Sequence, residues 1–293
     1  MITVVGEALV DVIGDRAYPG GSPANVAVAL ARLGRPVRLV TQFGGDAHGR
    51  LLLAHLRDNG VELAEGSVLD GERTSTARTQ LSPDGQATYD FDIDWRRFAP
   101  PPVAGDCLHT GSLATMLSPG ADDVFDFVRA ARATTLISYD PNCRPSLVDD
   151  RRSTVERVEA MVALSDVVKA SRDDLDWLYP GRSHQEVGRA WLDLGARLVV
   201  VTMGGEGAWA GTPHHSLTVA APPVTVVDTV GAGDAFTAGL LYALGEAKLL
   251  TAARRADLAG VELGDVLGFA TKVAAVTCGR RGADPPTLAE VAG

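Results

Sequence analysis

Residues 228–236 have the sequence DTVGAGDAF, in which two glycines and an alanine come directly before an aspartate. Residues 224–227 are mostly β-branched and predict the end of a strand, whereas residues 235–245 carry apolar side chains at helical spacing. The glycines therefore lie where a strand passes into a helix. The first N–H groups of a helix lack intrahelical partners and carry partial positive charge, and glycines let an anion approach them closely. We expect an anion-binding site at this strand–helix junction.

Asp234 ends the glycine-rich loop and lies beside the expected anion site. Because a helix start favours negative charge, we expect the carboxylate to be ionised at neutral pH, when it accepts protons well but binds anions poorly. This combination suits phosphoryl transfer, in which N–H groups stabilise the transferred phosphate and a carboxylate takes the proton of the attacking hydroxyl. The residues alone also allow a simpler interpretation, an ordinary helix start with an aspartate near its N-cap.

The composition excludes several classes of function. The chain has 293 residues, 46% of them hydrophobic, which is enough for one large core with a small appendage. A formal net charge of −10 and the lack of a basic patch argue against nucleic-acid binding. No stretch is apolar and long enough to span a membrane, and residues 1–14 lack the positive region of a signal peptide and predict a first strand instead.

The cysteines and histidines do not predict a metal site. Cys107, Cys143 and Cys278 are widely separated and odd in number, which favours a reducing, cytoplasmic location. His214 and His215 are adjacent in sequence, so their side chains would point apart on a strand or loop. We expect no metal to bind at this pair.

Strand-like and helix-like runs alternate along most of the chain. The predicted strands are 2–11, 37–44, 136–141, 166–171 and 197–204, and the predicted helices are 24–34, 48–60, 153–164 and 184–195. This alternation, with continuously apolar strands, predicts an α/β fold whose mostly parallel central sheet is covered by helices on both faces. Ligands of such sheets bind at the carboxyl ends of the strands, so the loops that follow the strands are the candidate site.

Two segments break the alternation, residues 14–21 and residues 74–94. The second segment alternates in polarity and contains Pro83-Asp84-Gly85, which predicts a β-hairpin. Strands without crossover helices do not belong in a parallel core. We therefore expect the two segments to form a small separate sheet.

This small sheet predicts a lid over the candidate site. We expect a single domain of residues 1–293, with the lid built from about 11–21 and 74–98. An edge extension or an oligomer contact is the alternative interpretation of the same segments. An exposed small sheet tends to pair with its own copy across a two-fold axis, so we also predict a homodimer through about 74–94.

Two familiar phosphate-binding motifs do not match the glycine-rich loop. A P-loop requires GxxxxGK followed by Ser or Thr, and the sequence has no such run. A dinucleotide-binding fingerprint requires GxGxxG; Gly231 and Gly233 supply the first two glycines, but Phe236 occupies the third position. These mismatches argue against a P-loop NTPase and a Rossmann dehydrogenase.

The sequence DTVGAGDAFTAGLL, residues 228–241, resembles the C-terminal signature of the ribokinase/PfkB family of carbohydrate kinases. The sequence PGGSPANVAVALARLG, residues 19–34, resembles the N-terminal signature of the same family. Further similarity occurs in GEALVDVI, FGGDAHGRLLLAHL, YDPNCRPSL and VTMGGEGAW, so the resemblance extends from about residue 2 to residue 283. The N-terminal signature and the DPNxR loop are most similar to the fructokinase-like branch. The resemblance implies a ribokinase-like three-layer sandwich with a small β-sheet lid.

The resemblance also implies a role for each matching residue. Asp234 is similar to the catalytic base of the family, and the residues similar to its anion hole are Gly231, Ala232 and Gly233. The implied sugar-binding residues are Asp11, Gly20, Gly21, Asn25 and Arg144. In the lid, alternation along the predicted strands adds Arg78, Tyr89, Phe91 and Asp92, some of which should face the sugar, and the sequence leaves open which face is inward. A strand-end turn at Asp11 and a helix start at Asn25 are the simpler interpretations. Arg144 suits a phosphate or the carboxylate of an acidic substrate, and its alternative is an ordinary surface arginine.

On the nucleotide side the resemblance implies the cofactors ATP and Mg²⁺. The implied nucleotide-binding residues are Lys169, Ser171, Thr202, Gly204, Gly207, Ala270 and Ala274. The implied metal-binding residues are Asp174, which would hold Mg²⁺ through water, and Asp228. In relatives the loop that begins at Asp228 helps to hold a monovalent cation, often K⁺. The family commonly has Asn-x-x-Glu where this chain has Ser171 and Asp174, a departure that puts Mg²⁺ affinity in question more than activity. A hairpin turn at 202–207 and a tightly packed helix at 269–278 are the simpler interpretations.

The resemblance implies an ATP-dependent kinase that phosphorylates a sugar hydroxymethyl group, and it favours conversion of fructose to fructose 6-phosphate. The alternatives within the class are 2-keto-3-deoxygluconate kinase, ribokinase or another small-polyol kinase. A basic lid residue that meets a carboxylate would favour the keto acid, and the candidates are Arg78, Arg96 and Arg97. A catalytically silent regulator that binds sugar or nucleotide is a third alternative, against which the retention of Asp234 and its glycine loop argues.

Overall fold

The computed structural model describes residues 1–81, 87–148 and 150–292, and it describes residues 79–81 and 87–89 by their backbone only. Its strands are β1 (Ile2–Val5), β2 (Leu9–Ile13), β3 (Arg16–Gly20), β4 (Val37–Val40), β5 (Phe43–Gly44), β6 (Glu62–Leu63), β7 (Val68–Leu69), β8 (Thr76–Leu81), β9 (Ala87–Asp92), β10 (Cys107–Gly111), β11 (Leu136–Asp140), β12 (Val167–Ser171), β13 (Leu198–Thr202), β14 (Ala208–Gly211) and β15 (Ser216–Val219). Its α-helices are α1 (Ser22–Arg32), α2 (Ala47–Asp58), α3 (Gly120–Ala131), α4 (Arg151–Leu164), α5 (Arg172–Leu178), α6 (His184–Asp193), α7 (Ala232–Glu246), α8 (Leu263–Cys278) and α9 (Leu288–Ala292).

One large sheet forms the centre of the fold, with the strand order β15-β14-β13-β12-β11-β10-β1-β4-β6. In this order, the seven strands β13-β12-β11-β10-β1-β4-β6 pair in parallel. Strands β14 and β15 extend one edge of the sheet in antiparallel pairing. Helices α1, α7 and α8 pack on one face of this sheet and α3 to α6 pack on the other. The predicted mostly parallel sheet in a three-layer sandwich is confirmed.

Successive residues of the parallel strands are buried on opposite faces. Val4 and Leu136 pack beneath α1, α7 and α8, whereas their neighbours Val5 and Ile137 pack beneath α3 to α6. Because helices cover both faces, these strands favour apolar side chains on both faces. This double burial explains the continuous apolar runs in the sequence.

Two predicted strands are each divided in the structure. The run 2–11 forms β1 in the large sheet and β2 in a small sheet, and the run 37–44 divides into β4 and β5. A continuous apolar run does not reveal where the chain leaves one sheet for another, because residues on both sides of the break are buried. The predicted helices are confirmed to within two residues at each end. In the described ranges, none of the helices has the length and apolar character needed to cross a membrane.

The predicted strand end at residues 224–227 is wrong. These residues form no strand, and Val226 and Val227 are 59% and 58% exposed. The N–H of Val227 donates to the carbonyl of Cys278 at 2.8 Å, so the segment crosses the C-terminal end of α8 before it reaches the glycine loop. Residues with β-branched side chains favour extended backbone, but a strand also requires a neighbouring strand.

The small sheet has the strand order β3-β2-β8-β9. Antiparallel pairing of β8 with β9 confirms the predicted hairpin strands, while the predicted turn Pro83-Asp84-Gly85 lies outside the described residues. Strand β2 also belongs to this sheet, although the sequence assigned it to the large one. The small sheet therefore takes its strands from both sides of α1 in sequence.

The register of the small sheet determines which of its faces packs against the rest of the molecule. Asp11, Ala77 and Phe91 lie opposite one another on adjacent strands, so their side chains share a face. Ala77 and Phe91 pack with Leu113, which follows β10 of the large sheet. Arg78 is the next residue along β8 and is exposed on the other face.

Candidate active site

The glycine-rich loop leads directly into α7, as the sequence predicts. Gly231 has a φ of 75°, and a Cβ there would lie 2.6 Å from the Cβ of Ala283, so any other residue would be strained. Ala232 and Gly233 form the first turn of α7. Among the described residues, the N–H groups of Gly233 and Asp234 have no hydrogen-bond partner, which leaves them available to an anion.

Asp234 lies in the first turn of α7 and is 8% exposed. Its Oδ1 accepts a hydrogen bond from the hydroxyl of Ser22 at 2.6 Å, and its Oδ2 accepts one from Nδ2 of Asn25 at 2.8 Å. Burial raises the pKa of Asp234, while these two hydrogen bonds and the charge of Lys169 lower it. The net shift of the pKa of Asp234 is upward, opposite to the direction expected from the helix start.

Asn25 lies on the first turns of α1, where the sequence predicted a sugar ligand. The structure places its amide nitrogen on the carboxylate of Asp234, so Asn25 also orients the candidate base, and its contact with a sugar stays a prediction. Gly21 precedes α1 with a φ of 98°, and a Cβ there would lie 2.6 Å from the carbonyl oxygen of Glu7. The two signature segments thus meet, although Asn25 and Asp234 are 209 residues apart.

Asp11 lies on β2, on the lid side of the site. A Cβ at Gly20 would lie 2.2 Å from Oδ2 of Asp11, so the glycine allows the carboxyl group to pack against the backbone. Burial raises the pKa of Asp11 to about 6, although the charge of Arg144 lowers it; the charge of Asp234 raises it further. The structure therefore brings three groups from separate motifs within electrostatic reach of one another.

Arg144 follows β11 and is not an isolated surface arginine. Its guanidinium donates to the main-chain and side-chain oxygens of Asn142 at 3.0 and 2.7 Å, and to the carbonyl of Cys143 at 3.0 Å. Its charge acts on the carboxyl groups of both Asp11 and Glu7. Arg144 is therefore held by its own loop at the sugar end of the site.

The lid residues predicted to contact the sugar are only partly described. Phe91 is half-buried on the face of the small sheet that carries Asp11 and Ala77. The side chain of Tyr89 lies outside the described residues. The register therefore answers the question of which lid face is inward, and it selects the face of Phe91.

Lys169 forms a buried ion pair beneath the glycine loop. Its Nζ lies 2.8 Å from Oδ2 of Asp140, and both side chains are at most 5% exposed. A Cβ at Gly233 would lie 3.1 Å from this Nζ. Burial by itself lowers the pKa of Lys169, but the carboxylate of Asp140 and two further carboxylates raise it, and the net shift is upward. Lys169 thus adds positive charge directly behind the expected phosphate site.

Ser171 and Asp174 form a capping box at the start of α5. The Oδ2 of Asp174 accepts from the N–H and the hydroxyl of Ser171 at 2.8 and 2.6 Å, and its Oδ1 accepts from the N–H of Cys143 at 2.7 Å. Both carboxylate oxygens are therefore occupied by the protein. Asp174 joins the loop of Arg144 to α5, an arrangement that does not present it as a direct metal ligand.

Asp228 also has both carboxylate oxygens engaged. Oδ1 accepts from the N–H of Val230 at 3.1 Å, and Oδ2 accepts from the N–H of Gly282 at 2.9 Å. These bonds hold the glycine loop against the segment that follows α8. Within the residues described, no group of three or more His, Cys, Asp or Glu side chains could hold a metal ion.

The nucleotide-side predictions have mixed outcomes. Thr202 ends β13 beside Ser171 in the sheet register, and Gly204 and Gly207 flank the predicted hairpin turn into β14. Ala270 is fully buried, and a Cβ at Gly239 of α7 would lie 2.9 Å from its Cα. Because α7 covers that face of α8, the burial of Ala270 does not support its predicted contact with adenine, which stays a prediction. Ala274, one turn later, is half-buried and stays a candidate.

Several residues of the site were not predicted. Ser22 lies within the N-terminal signature but was given no role, and Asp140 begins the DPNxR loop. Glu7 is a carboxyl residue inside an apolar run, a signal that could have drawn attention to it. Nothing in the sequence indicated that Val226 and Val227 are exposed, because valine is usually buried.

The fold, together with a buried carboxylate beside free helix N–H groups, is that of a carbohydrate kinase. The family model described as pfkB family carbohydrate kinase matches residues 2–290. The chain belongs to this family. A fructokinase from Rhizobium leguminosarum bv. trifolii is 38% identical to it over 275 residues, covering 88% of this chain and 84% of the relative.

Solved structures show the same fold with ligands bound. The fructokinase from Vibrio cholerae O395, crystallised with fructose, ADP and a calcium ion, is 31% identical and has a TM-score of 0.84, with 99% of this chain and 97% of that chain covered. A double mutant of that enzyme was crystallised with fructose, ADP and a potassium ion; it is 30% identical, with a TM-score of 0.85 and coverage of 99% and 96%. The fructokinase from Xylella fastidiosa with bound ATP is 27% identical, with a TM-score of 0.85 and coverage of 99% and 97%.

Proposed function

We propose that the chain transfers the γ-phosphoryl group of ATP to a hydroxymethyl group of fructose and forms fructose 6-phosphate. The observation that carries this proposal is the position of Asp234, which lies beside two N–H groups without partners at the start of α7. Similarity to fructokinases that bind fructose with ADP, or ATP, supports the choice of substrates.

The mechanism follows from the groups around Asp234. Ser22 and Asn25 hold its two oxygens, so the carboxylate is oriented before substrate binds. Asp234 accepts the proton of the sugar hydroxyl as the hydroxyl oxygen attacks the γ-phosphorus. The N–H groups of the glycine loop then stabilise charge on the transferred phosphate, and buried Lys169 adds to their positive potential.

The charges at the sugar end favour a neutral sugar over 2-keto-3-deoxygluconate. The charge of Arg144 acts on Asp11 and Glu7, two carboxyl groups of the protein itself. The lid arginines that would favour the keto acid are also engaged or misplaced. Arg96 is paired with Glu72 and Asp94, Arg97 with Asp123, and Arg78 lies on the other face of the small sheet. A substrate carboxylate would therefore compete with Asp11 and Glu7 for the charge of Arg144, and it would meet Arg96 and Arg97 only as members of ion pairs.

Nucleotide and metal use follow from the family and its liganded structures, whereas the identity of the ions is our proposal. Asp174 and Asp228 already accept hydrogen bonds from main-chain and hydroxyl donors on each carboxylate oxygen, so we propose that they act on a metal ion through water and not as direct ligands. We therefore propose that Mg²⁺ enters bound to the phosphates of ATP. A K⁺ effect is proposed from the potassium-bound relative, with Asp228 ordering the loop rather than binding the ion.

A homodimer through the lid also stays a proposal. Strand β9 is an edge of the small sheet, which leaves one side of its backbone without a neighbouring strand in the described structure. Sedimentation at micromolar concentration should show a dimer, and a monomer would contradict the proposal. A reducing, cytoplasmic location is proposed from the three unpaired cysteines.

An ADP-release assay tests the proposed function. Fructose, ribose, glucose, 2-keto-3-deoxygluconate and adenosine are compared with ATP and Mg²⁺ at equal concentration. The expected result is the highest kcat/KM for fructose. A higher value for 2-keto-3-deoxygluconate would overturn the choice of a neutral sugar, and turnover of none of them would favour a catalytically silent binding protein.

A further inference from the structure

Glu7 is a carboxyl group buried at the sugar end of the site, in the loop between β1 and β2. It is 3% exposed, and its Oε2 accepts a hydrogen bond from the N–H of Ala114 at 3.0 Å. The side chain of Ser112 also hydrogen-bonds to it, and the positive charge of Arg144 acts on it. A carboxyl group in such a position destabilises the fold unless its partners compensate for lost water.

The partners of Glu7 belong to three separate segments that meet at the sugar end of the candidate site. Ser112 has a φ of 55°, a left-handed conformation that is costly for a residue other than glycine, and it lies directly after β10. Arg144 lies in the loop after β11, and Gly21, which precedes α1, packs against the carbonyl of Glu7. The side chain of Glu7 therefore links the turn at 111–114 with the positive charge of Arg144, which also acts on Asp11.

We infer that Glu7 is a positioning residue for sugar binding: its oxygen holds the turn at 112–114, where Leu113 packs with the lid residues Ala77 and Phe91, and its negative charge acts on Arg144. The inference rests on the proposed sugar-kinase function. Glu7 does not contact the phosphate end, so its removal should weaken sugar binding more than it slows phosphoryl transfer. This separation distinguishes positioning from a general loss of structure.

The protonation state of Glu7 adds a pH dependence. Burial raises the pKa of Glu7 to about 7, although hydrogen bonds from its own backbone, Ser112 and Ala114 and the charge of Arg144 lower it. As the pH falls through about 7, Glu7 gains a proton and Arg144 loses the charge that opposes it. The KM for sugar should therefore rise below this pH. Asp11, the other carboxyl group facing Arg144, should add a second rise at a pH of about 6.

Glu7→Gln tests the inference, because the amide keeps the size and the acceptor oxygen but loses the charge. We expect the KM for fructose to rise by about tenfold or more at pH 8, as for the loss of a hydrogen-bonded charged partner. The kcat and the KM for ATP should change by less than about twofold. The step in KM near pH 7 should disappear in the variant, while the lower step remains.

The control is Glu65→Gln, the same substitution at an exposed glutamate. It should leave both KM values and the pH profile unchanged. Thermal unfolding of Glu7→Gln and its KM for ATP show whether the variant is folded. If Glu7→Gln does not fold, the inference is tested on the wild type, whose KM for fructose should rise in a step near pH 7. The absence of this step overturns the inference.

The outcomes separate this inference from the proposed function. Wild-type turnover of fructose with an unchanged KM in Glu7→Gln overturns the positioning role alone. Wild-type protein that neither turns over nor binds any sugar of the panel overturns both. An increase in the KM for ATP equal to that for fructose also overturns the inference, because it indicates a general structural role.

Discussion

The two ends of the candidate site are built in different ways. At the phosphate end, Gly231 and Asp234 belong to α7, and the ion pair of Lys169 with Asp140 is buried behind them. At the sugar end, Asp11 comes from the small sheet and the other groups come from loops. The phosphate end is therefore held by the main core, whereas the sugar end depends on how the small sheet docks. We therefore expect substitutions at the phosphate end to change the rate of reaction and substitutions at the sugar end to change sugar affinity.

The largest effect is expected for Asp234→Asn. The amide keeps the size of the side chain but cannot accept the proton, so kcat should fall by about 10²–10⁴-fold with smaller changes in both KM values. ADP release at saturating substrate measures this loss. Thermal unfolding is measured alongside, because the amide keeps only one of the two oxygens that accept hydrogen bonds from Ser22 and Asn25. A kcat close to that of the wild type would mean that another group is the base.

A smaller loss is expected for Gly231→Ala. The added Cβ meets Ala283 at 2.6 Å, so the loop must shift and its N–H groups lose their alignment with the phosphate. We expect kcat to fall by about 10²–10³-fold, the usual cost of losing an oxyanion donor. Gly60→Ala is the matched control, since Gly60 has the same φ of 75° with open space around it. Equal losses in the two variants would show that backbone strain alone is responsible.

At the sugar end, Asp11→Asn should raise the KM for fructose by roughly tenfold and change kcat less, because a charged acceptor of sugar hydroxyls becomes neutral. In the wild type the same effect should appear as the pH falls through about 6, when Asp11 gains a proton. Steady-state kinetics from pH 5 to pH 8 measure both. Asp90→Asn, at an exposed residue on the other face of the lid, is the control. Loss of kcat without a change in KM would place Asp11 in the reaction rather than in binding.

The smallest effect is expected for Arg78→Ala. Arg78 is exposed on the lid face that does not carry Asp11, so the KM for fructose should change by less than about twofold. If 2-keto-3-deoxygluconate is a poor substrate, its KM should also change by less than about twofold. A large rise in KM for the acid alone would mean that the lid presents Arg78 to the substrate, contrary to its register.

The sequence predicted the chemistry of the site better than its geometry. The glycine loop, Asp234 and Asp11 were found from local motifs, because a helix start and a short polar loop have local requirements. The segment 224–227 was misjudged, because burial depends on which element covers a residue. Asp174 was chosen as a metal-binding residue, and only the structure shows the loop N–H group that occupies its Oδ1.

The sequence by itself determined the alternation of strands and helices, the two signature loops and therefore the class of enzyme. These features depend on the spacing of apolar residues and glycines within short segments, which a chain carries whatever its distant parts do. Only the tertiary structure decided that Ser22 and Asn25 hold Asp234, that Phe91 rather than Arg78 faces inward, and that Glu7 accepts a hydrogen bond from the N–H of Ala114. These arrangements depend on strand register and on contacts between residues as much as 212 positions apart, and no local pattern encodes such distances.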